Sequence, residues 1–184
     1  MYQKIIEEIE TIQRSRITPI QVARNGNTLI EGPAKRCAGL YFFYTSYSLS
    51  ELKNCGAPPT ASAVPISSLA KNIGALAGIK QQEDDGFRLV YNGVGGFSGS
   101  SYDLRSRILQ EISSNDPRTG SLCIRQTPLN DLDKWRFSYV ILPTSNFESE
   151  VDPDVGEQWD FQTEALNLEM YWRLHLGWPL LSRK

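Results

Sequence analysis

The stretch FRLVYNGVGGFSGSSYDLRSRILQEIS, residues 87–113, changes its periodicity halfway along and thereby decides the fold. Residues 87–91 alternate and end in an aromatic side chain, which predicts a β-strand. The glycine-rich segment 92–100 then interrupts the alternation, because asparagine and glycine tolerate positive φ and tight turns. Beyond it, apolar residues recur every four positions and so share one face of a predicted helix. They are Leu104, Ile108 and Ile112.

Four other segments carry clear patterns of their own. The aromatic run at 39–44 predicts a central strand, and residues 135–142, which Pro143 stops, predict a third one. Apolar stripes at helical spacing predict the helices 2–13 and 158–176. Weaker patterns predict one more helix at 66–76 and two short strands at 17–23 and 28–31.

These elements predict an α+β fold with a small, mostly antiparallel sheet of three strands flanked by helices. The 184 residues are most simply a single domain, 1–184. Residues 1–36 form an N-terminal arm. Residues 46–82 form an insertion between the first two core strands, because about 35 residues exceed a simple connection.

Composition excludes several classes of protein. The apolar fraction of 40% and the charged fraction of 22% are those of a globular chain. No apolar run has the length of a membrane span, and the N-terminus lacks the order of a signal peptide. Cys37, Cys55 and Cys123 are odd in number and far apart, which argues against a disulfide framework and paired zinc ligands. We therefore expect a cytoplasmic protein that needs no membrane.

The glycine cluster has one alternative interpretation, nucleotide binding. A strand, Gly93-x-Gly95 and a helix are the outline of a dinucleotide-binding fold. However, Ser98 stands at the position of the third glycine, and no Gly-Lys-Ser/Thr follows. Nucleotide binding is therefore the weaker interpretation.

Separated segments, read together, resemble the GIY-YIG nuclease superfamily. Gly39-Leu40-Tyr41 and Tyr91-Asn92-Gly93 match the two halves of its motif. The segment 104–108, Leu-Arg-Ser-Arg-Ile, resembles the Leu-x-x-Arg that follows the second half. Leu168-Glu169, with Pro179 ten residues after the glutamate, resembles the family's helix glutamate and its proline-containing tail.

The resemblance covers roughly residues 38–45 and 86–184, in the family's order of strand, strand, helix, strand, helix. The long gap between the motif halves, residues 42–90, is most similar to that of GIY-YIG restriction endonucleases. The resemblance thus implies a Mg²⁺- or Mn²⁺-dependent endonuclease that hydrolyses phosphodiester bonds of double-stranded DNA. It would leave 5′-phosphate and 3′-hydroxyl ends, and palindromic sites would favour a homodimer.

The resemblance also implies a role for each matched residue. Glu169 would bind the metal ion, since Mg²⁺ prefers a carboxylate plus waters. Arg107 would hold phosphate oxygens with its planar, permanently charged fork. Tyr41 would position or deprotonate the attacking water, although a phenol with a pKa near 10 is a poor base. Tyr91 would lie on the side of the site that holds the attacking water.

Simpler interpretations compete with these catalytic roles. Glu169 and Arg173, like Arg107 and Glu111, are four apart and predict ordinary helix ion pairs. Tyr41, amid other aromatics, has the surroundings of a core residue. Arg105 competes with Arg107 for the phosphate role, and the Leu-x-x-Arg spacing favours Arg107. Contacts with DNA bases are expected from the insertion 46–82 or from the N-terminal arm, for instance from Lys53, Lys71 or Lys80.

Three positions depart from the family pattern. Val94 stands where many members have lysine after the second motif half, and Glu111 replaces a common tyrosine or histidine. Ser182 occupies the place of an asparagine in the tail. A non-catalytic DNA-binding or protein-interaction module on the same scaffold is therefore the alternative function.

Overall fold

The computed structural model describes residues 2–72, 78–80, 82–97, 102–114, 116, 118–144, 152–155 and 161–182. The helices are α1 (Tyr2–Ser15), α2 (Leu49–Asn54), α3 (Ile66–Lys71), α4 (Leu104–Ser113) and α5 (Phe161–Leu176). The strands are β1 (Thr18–Pro19), β2 (Gln21–Val22), β3 (Thr28–Leu29), β4 (Ala38–Thr45), β5 (Glu83–Asp84), β6 (Phe87–Gly95) and β7 (Trp135–Leu142). Short 3₁₀ turns lie at Ile124–Gln126 and Leu132–Lys134.

The main sheet is antiparallel, with the strand order β1-β7-β4-β6-β5, and β2 and β3 form a separate ribbon. The predicted α+β class and the central position of the 39–44 strand are confirmed. The sheet has five strands and not the predicted three, because a two-residue strand is added at each edge. At one edge, Asp85 and Gly86 have φ of 50° and 76°, the positive values that a tight hairpin between β5 and β6 requires.

The two faces of the sheet bury different side chains. Tyr41 and Phe43 of β4 face α4, whereas Phe42 and Tyr44 face α1 and α5. The predicted stripe of α4 is confirmed, since its three apolar residues are fully buried. On α5 the predicted stripe is buried from Phe161 to Trp172, and Leu176 is partly buried. Helices α4 and α5 therefore cover opposite faces of the same strands.

Strand β6 is longer than the sequence pattern predicts, because it continues through two glycines as far as Gly95. A Cβ atom at Gly93 would lie 2.3 Å from Tyr41 Oη. A Cβ atom at Gly95 would lie 2.7 Å from the Cα atom of Leu104 in α4. The two glycines thus allow Tyr41 and α4 to approach the strand closely. The turn comes at Gly96, where φ is 79°.

The segment 46–82 contains more helix than predicted. Helix α2 was missed although Ser48 and Glu51 form a capping box at its start. Helix α3 begins at Ile66 as predicted and ends at Lys71, and the predicted continuation at 73–76 lies outside the described residues. The predicted start of the last helix, 158–160, also lies outside them.

Within the described part of the chain, no helix combines the length and the apolar character needed to span a membrane. The three cysteines are buried, and none of them forms a disulfide bond within the described part of the chain.

Candidate active site at the edge of the sheet

The sequence-predicted residues meet beside β6, where α4 on one face and α5 on the other reach the same strand. Tyr41 pairs with Gly93 across β4 and β6, and Phe43 pairs with Tyr91, so both tyrosines lie on the α4 face. Because Gly93 has no side chain, the phenol of Tyr41 extends across it. The centroids of the two tyrosine rings are 6.3 Å apart.

On the α4 face, Glu111 connects the elements of the site. Its Oε1 accepts a hydrogen bond of 2.7 Å from Tyr41 Oη and one of 3.2 Å from Arg107 Nη2. Its Oε2 accepts a bond of 2.7 Å from the backbone N–H of Leu122. Arg107 Nη2 also donates to Tyr41 Oη over 3.3 Å. A carboxylate thus joins the central strand, α4 and the chain that follows α4.

On the other face, a second network is centred on Arg173. Its Nη2 donates to Glu169 Oε1 at 2.7 Å, and its Nε donates to Asn92 Oδ1 at 2.9 Å. The Oγ of Ser182 donates to the same Asn92 oxygen and accepts from the Asn92 backbone N–H. Ser182, one of the departures from the family pattern, therefore ties the tail of the chain to β6.

The charged groups of the two networks influence one another. Burial raises the pKa of Glu169 to about 7, and Arg173 and Arg107 act against this rise. Burial also raises the pKa of Tyr91, which Glu111 and Glu169 raise further, whereas Arg107 and Arg173 lower it. Tyr91 thus lies within electrostatic reach of both faces. Glu169 therefore lies within electrostatic reach of Arg107 and Tyr91, and Arg107 contacts Tyr41 directly.

Access to solvent differs among these groups. The Arg107 side chain is 21% exposed and that of Glu169 12%, whereas Tyr41 and Glu111 are completely buried. Burial raises the pKa values of Tyr41 and Glu111, and Arg107 acts in the opposite direction on both. A ligand arriving from solvent would therefore meet Arg107 and Glu169 first.

Both predicted helix ion pairs are present, at 3.2 Å for Arg107–Glu111 and 2.7 Å for Glu169–Arg173. The additional bond from Tyr41 to Glu111 was missed. The spacing contained a signal for it, because Glu111 stands seven residues after Leu104 and hence on the buried stripe of α4. A carboxylate on such a stripe needs buried partners.

The structure does not bring the other phosphate candidate to the patch. Arg105 donates to the backbone carbonyls of Pro33 and Ile30, at 2.9 and 3.2 Å. Its guanidinium therefore holds the N-terminal arm and points away from Tyr41. Asp103 supports the same junction, since it caps α4 through Ser106 and accepts from the backbone of Arg36.

The three lysines proposed for DNA contact lie in different settings. Lys80 donates to Glu10 at 2.8 Å and lies over the ring of Trp172, with its side chain only 12% exposed. This pairing argues against a role for Lys80 at DNA. Lys53 and Lys71 line one open groove between α2 and α3, of about 480 Å³.

The residues beside β6 suit a metal ion that keeps most of its waters. No group of three or more histidine, cysteine, aspartate or glutamate side chains lies close together in the described ranges. Glu169 is the acidic side chain nearest solvent in the patch, and its Oε2 makes no hydrogen bond to any described residue. One carboxylate oxygen plus waters is a shell that Mg²⁺ accepts.

Comparison of the chain with known proteins finds no matching family model and no significant match to a curated protein or a solved structure.

Proposed function

We propose that the chain is a Mg²⁺- or Mn²⁺-dependent DNA endonuclease of the GIY-YIG type, similar to the restriction enzymes of that superfamily. One observation carries the proposal. The phenol of Tyr41 contacts the guanidinium of Arg107, and the carboxylate of Glu169 on α5 lies within electrostatic reach of that guanidinium, although the three residues are far apart in the sequence. The three long strands, with α4 and α5 on opposite faces, support the GIY-YIG-like fold as well.

Each group then has a task in hydrolysis. Arg107 binds the scissile phosphate, because its planar fork matches two phosphate oxygens. Glu169 would hold the metal ion, which supplies Lewis-acid stabilisation of charge on the departing 3′ oxygen. Tyr41 and Tyr91 face the attacking water, and the products carry 5′-phosphate and 3′-hydroxyl ends.

Binding of double-stranded DNA would also use the groove between α2 and α3. Lys53 and Lys71 line that groove, and it belongs to the 46–82 insertion. A net charge of −2 means that attraction to DNA must come from such local groups. Cutting of both strands is best served by a homodimer. Cysteines that form no disulfide bond among the described residues fit a cytoplasmic enzyme.

A non-catalytic DNA-binding or protein-interaction module is the second candidate. The specific observation in its favour is that Tyr41 is fully buried and that both arginines of the patch are already paired with glutamates. A fold of this kind without catalytic activity would tolerate a buried tyrosine and paired arginines at these positions.

The test is cleavage of a mixed-sequence plasmid in the presence of Mg²⁺. Wild type should cleave, and Glu169→Gln should lose cleavage. Glu164→Gln is the matched control, because Glu164 lies on the same helix and bonds only to Tyr2 and Asn167 among the described residues. Retardation of DNA without cleavage by wild type would support the module. Equal cleavage by Glu169→Gln and wild type would contradict the nuclease site.

A further inference from the structure

Glu111 is built into the fold as a fixed acceptor of hydrogen bonds. Its two shortest contacts, both 2.7 Å, come from Tyr41 Oη and from the backbone N–H of Leu122. These donors belong to the central strand and to the segment after α4. The carboxylate is fully buried, so its position depends on partners and not on solvent.

Arg107 contacts this cluster through Nη2 only. That atom lies 3.2 Å from Glu111 Oε1 and 3.3 Å from Tyr41 Oη, whereas Nη1 donates to Gln110 Oε1 at 2.5 Å, and the side chain is partly exposed. A turn of Nη2 towards a phosphate would therefore leave the bond between Tyr41 and Glu111 intact. Its departure removes the nearest positive charge from Glu111, and a carboxylate without that charge binds a proton more strongly.

A buried phenol cannot by itself serve as a base, because its ionised form is strongly disfavoured. A phenol that passes one proton on while it receives another avoids that ionised form. Tyr41 donates its only proton to Glu111, and its buried oxygen accepts from Arg107 Nη2. When Arg107 turns to a phosphate, that oxygen becomes available to accept from the attacking water.

We propose that Glu111 is the positioning residue of the nuclease site, which fixes Tyr41 and takes up the proton that Tyr41 passes on. This inference rests on the proposed function. The attacking water forms a bond to phosphorus and loses a proton to Tyr41 Oη, while the Tyr41 proton moves to Glu111 Oε1. The bond from phosphorus to the 3′ oxygen breaks, and that oxygen takes a proton from solvent.

The experiment compares single-turnover cleavage by wild type, Glu111→Gln, Tyr41→Phe and the double variant. Each single variant should cleave about 10²–10⁴-fold more slowly, as expected for loss of proton transfer. The double variant should be no slower than the single ones, because both changes break one path. DNA affinity, measured with Ca²⁺ in place of Mg²⁺, should change less than threefold.

Asp154→Asn is the matched control. Asp154 also bonds to an arginine, Arg16, and to a backbone N–H, that of Ile141, but it lies away from β6. The control should cleave within threefold of wild type. This variant shows how the loss of a paired carboxylate changes the rate of cleavage when proton transfer from Tyr41 to Glu111 is intact.

A proton inventory in mixtures of H₂O and D₂O separates two roles of Glu111, namely acceptance of the proton from Tyr41 and positioning of Tyr41 alone. Wild type should show a curved dependence, from two protons in motion, and Tyr41→Phe should show a weaker, linear one. If Glu111→Gln does not fold, the proton inventory of wild type still decides, because transfer on to Glu111 requires a second proton in motion. Cleavage by Glu111→Gln at the wild-type rate, or a linear dependence for wild type, would overturn the inference alone. Cleavage by Tyr41→Phe at the wild-type rate would also contradict the role of Tyr41 in the proposed function. Absence of cleavage by wild type would overturn the proposed function, and this inference with it.

Discussion

Glu169 has to meet two opposing demands. A carboxylate must be ionised to hold a divalent ion, yet burial raises the pKa of Glu169 to about 7. Arg173 and Arg107 offset only part of that cost. The fold thus disfavours the charged form of Glu169 that metal binding requires, and carboxylates with such shifted pKa values are common at functional sites.

The stability of the protein should reveal this cost through its dependence on pH. The folded chain keeps the Glu169 proton up to about pH 7, whereas the unfolded chain releases it near the ordinary pKa of 4.5. The folded state therefore binds the extra proton between these values, and the contribution of this group to stability falls as the pH rises. Glu169→Gln should be more stable than wild type at pH 8, by ~1–3 kcal/mol, and gain little at pH 4.5. Urea unfolding at both pH values measures the difference in the free energy of unfolding between Glu169→Gln and wild type. An equal difference at pH 4.5 and pH 8 would contradict the prediction.

Cleavage should depend on the same ionisation. The rate should rise with pH through about 7 and then level off, because only ionised Glu169 binds the metal. Higher Mg²⁺ concentrations should move the midpoint to lower pH, since the metal and the proton compete for one carboxylate. Single-turnover rates at several Mg²⁺ concentrations measure this, and a midpoint independent of Mg²⁺ would argue against Glu169 as the ligand.

At the scale of elements, the glycines of β6 decide how closely the α4 face of the sheet packs. On that one face, Gly93 allows the ring of Tyr41 and Gly95 allows the first turn of α4 to approach the backbone closely. A prediction that treats these glycines as turn residues ends the strand at Tyr91, and it therefore misses the close approach of Tyr41 and α4 to β6. The packing partners, and not the local pattern, give these glycines their role.

Gly93→Ala should therefore harm both the fold and the site. The new Cβ atom would lie 2.3 Å from Tyr41 Oη and 2.4 Å from its Cζ, so that the buried ring must move. We expect a loss of ~1–3 kcal/mol in the free energy of unfolding, as for overpacked cores, together with slower cleavage. Gly120→Ala is the control, because its Cβ atom would meet only Ser62 O, at 3.7 Å. Urea unfolding measures both variants, and equal stabilities would contradict the steric argument.

At the scale of the whole molecule, positive charge is local. The chain carries a net charge of −2, and several basic groups are already paired, for example Lys80 with Glu10 and Arg16 with Asp154. Lys53 and Lys71 lie in the open groove between α2 and α3. DNA binding should hence depend on few phosphate contacts.

The salt dependence of DNA affinity tests this distribution. The double substitution Lys53→Gln/Lys71→Gln should lower the slope of log affinity against log salt by about 2, since each lost phosphate contact removes about 0.9. Lys80→Gln should leave the slope unchanged, because Glu10 already neutralises that amine. Fluorescence anisotropy with a short duplex, without divalent ions, gives the slopes. A smaller decrease of this slope for the double variant than for Lys80→Gln would contradict the assignment of Lys53 and Lys71 to phosphate contacts.

The sequence alone predicts the α+β class, the bounds of β7, the buried stripes of α4 and α5 and both helix ion pairs. Period and spacing within one element suffice for these, because they fix which side chains share a face. It also supplied Tyr41, Tyr91, Arg107 and Glu169, through motif order and not through any local pattern.

The packing of the folded chain sets which polar groups of distant elements meet. The bond between Tyr41 and Glu111 spans 70 positions, and those from Asn92 to Arg173 and Ser182 span 81 and 90. Such contacts depend on strand register and on the approach that glycines allow, and neither quantity is encoded in the periodicity of a single segment. Buried polar side chains must find partners wherever the fold places them, and that placement is a property of the packed molecule.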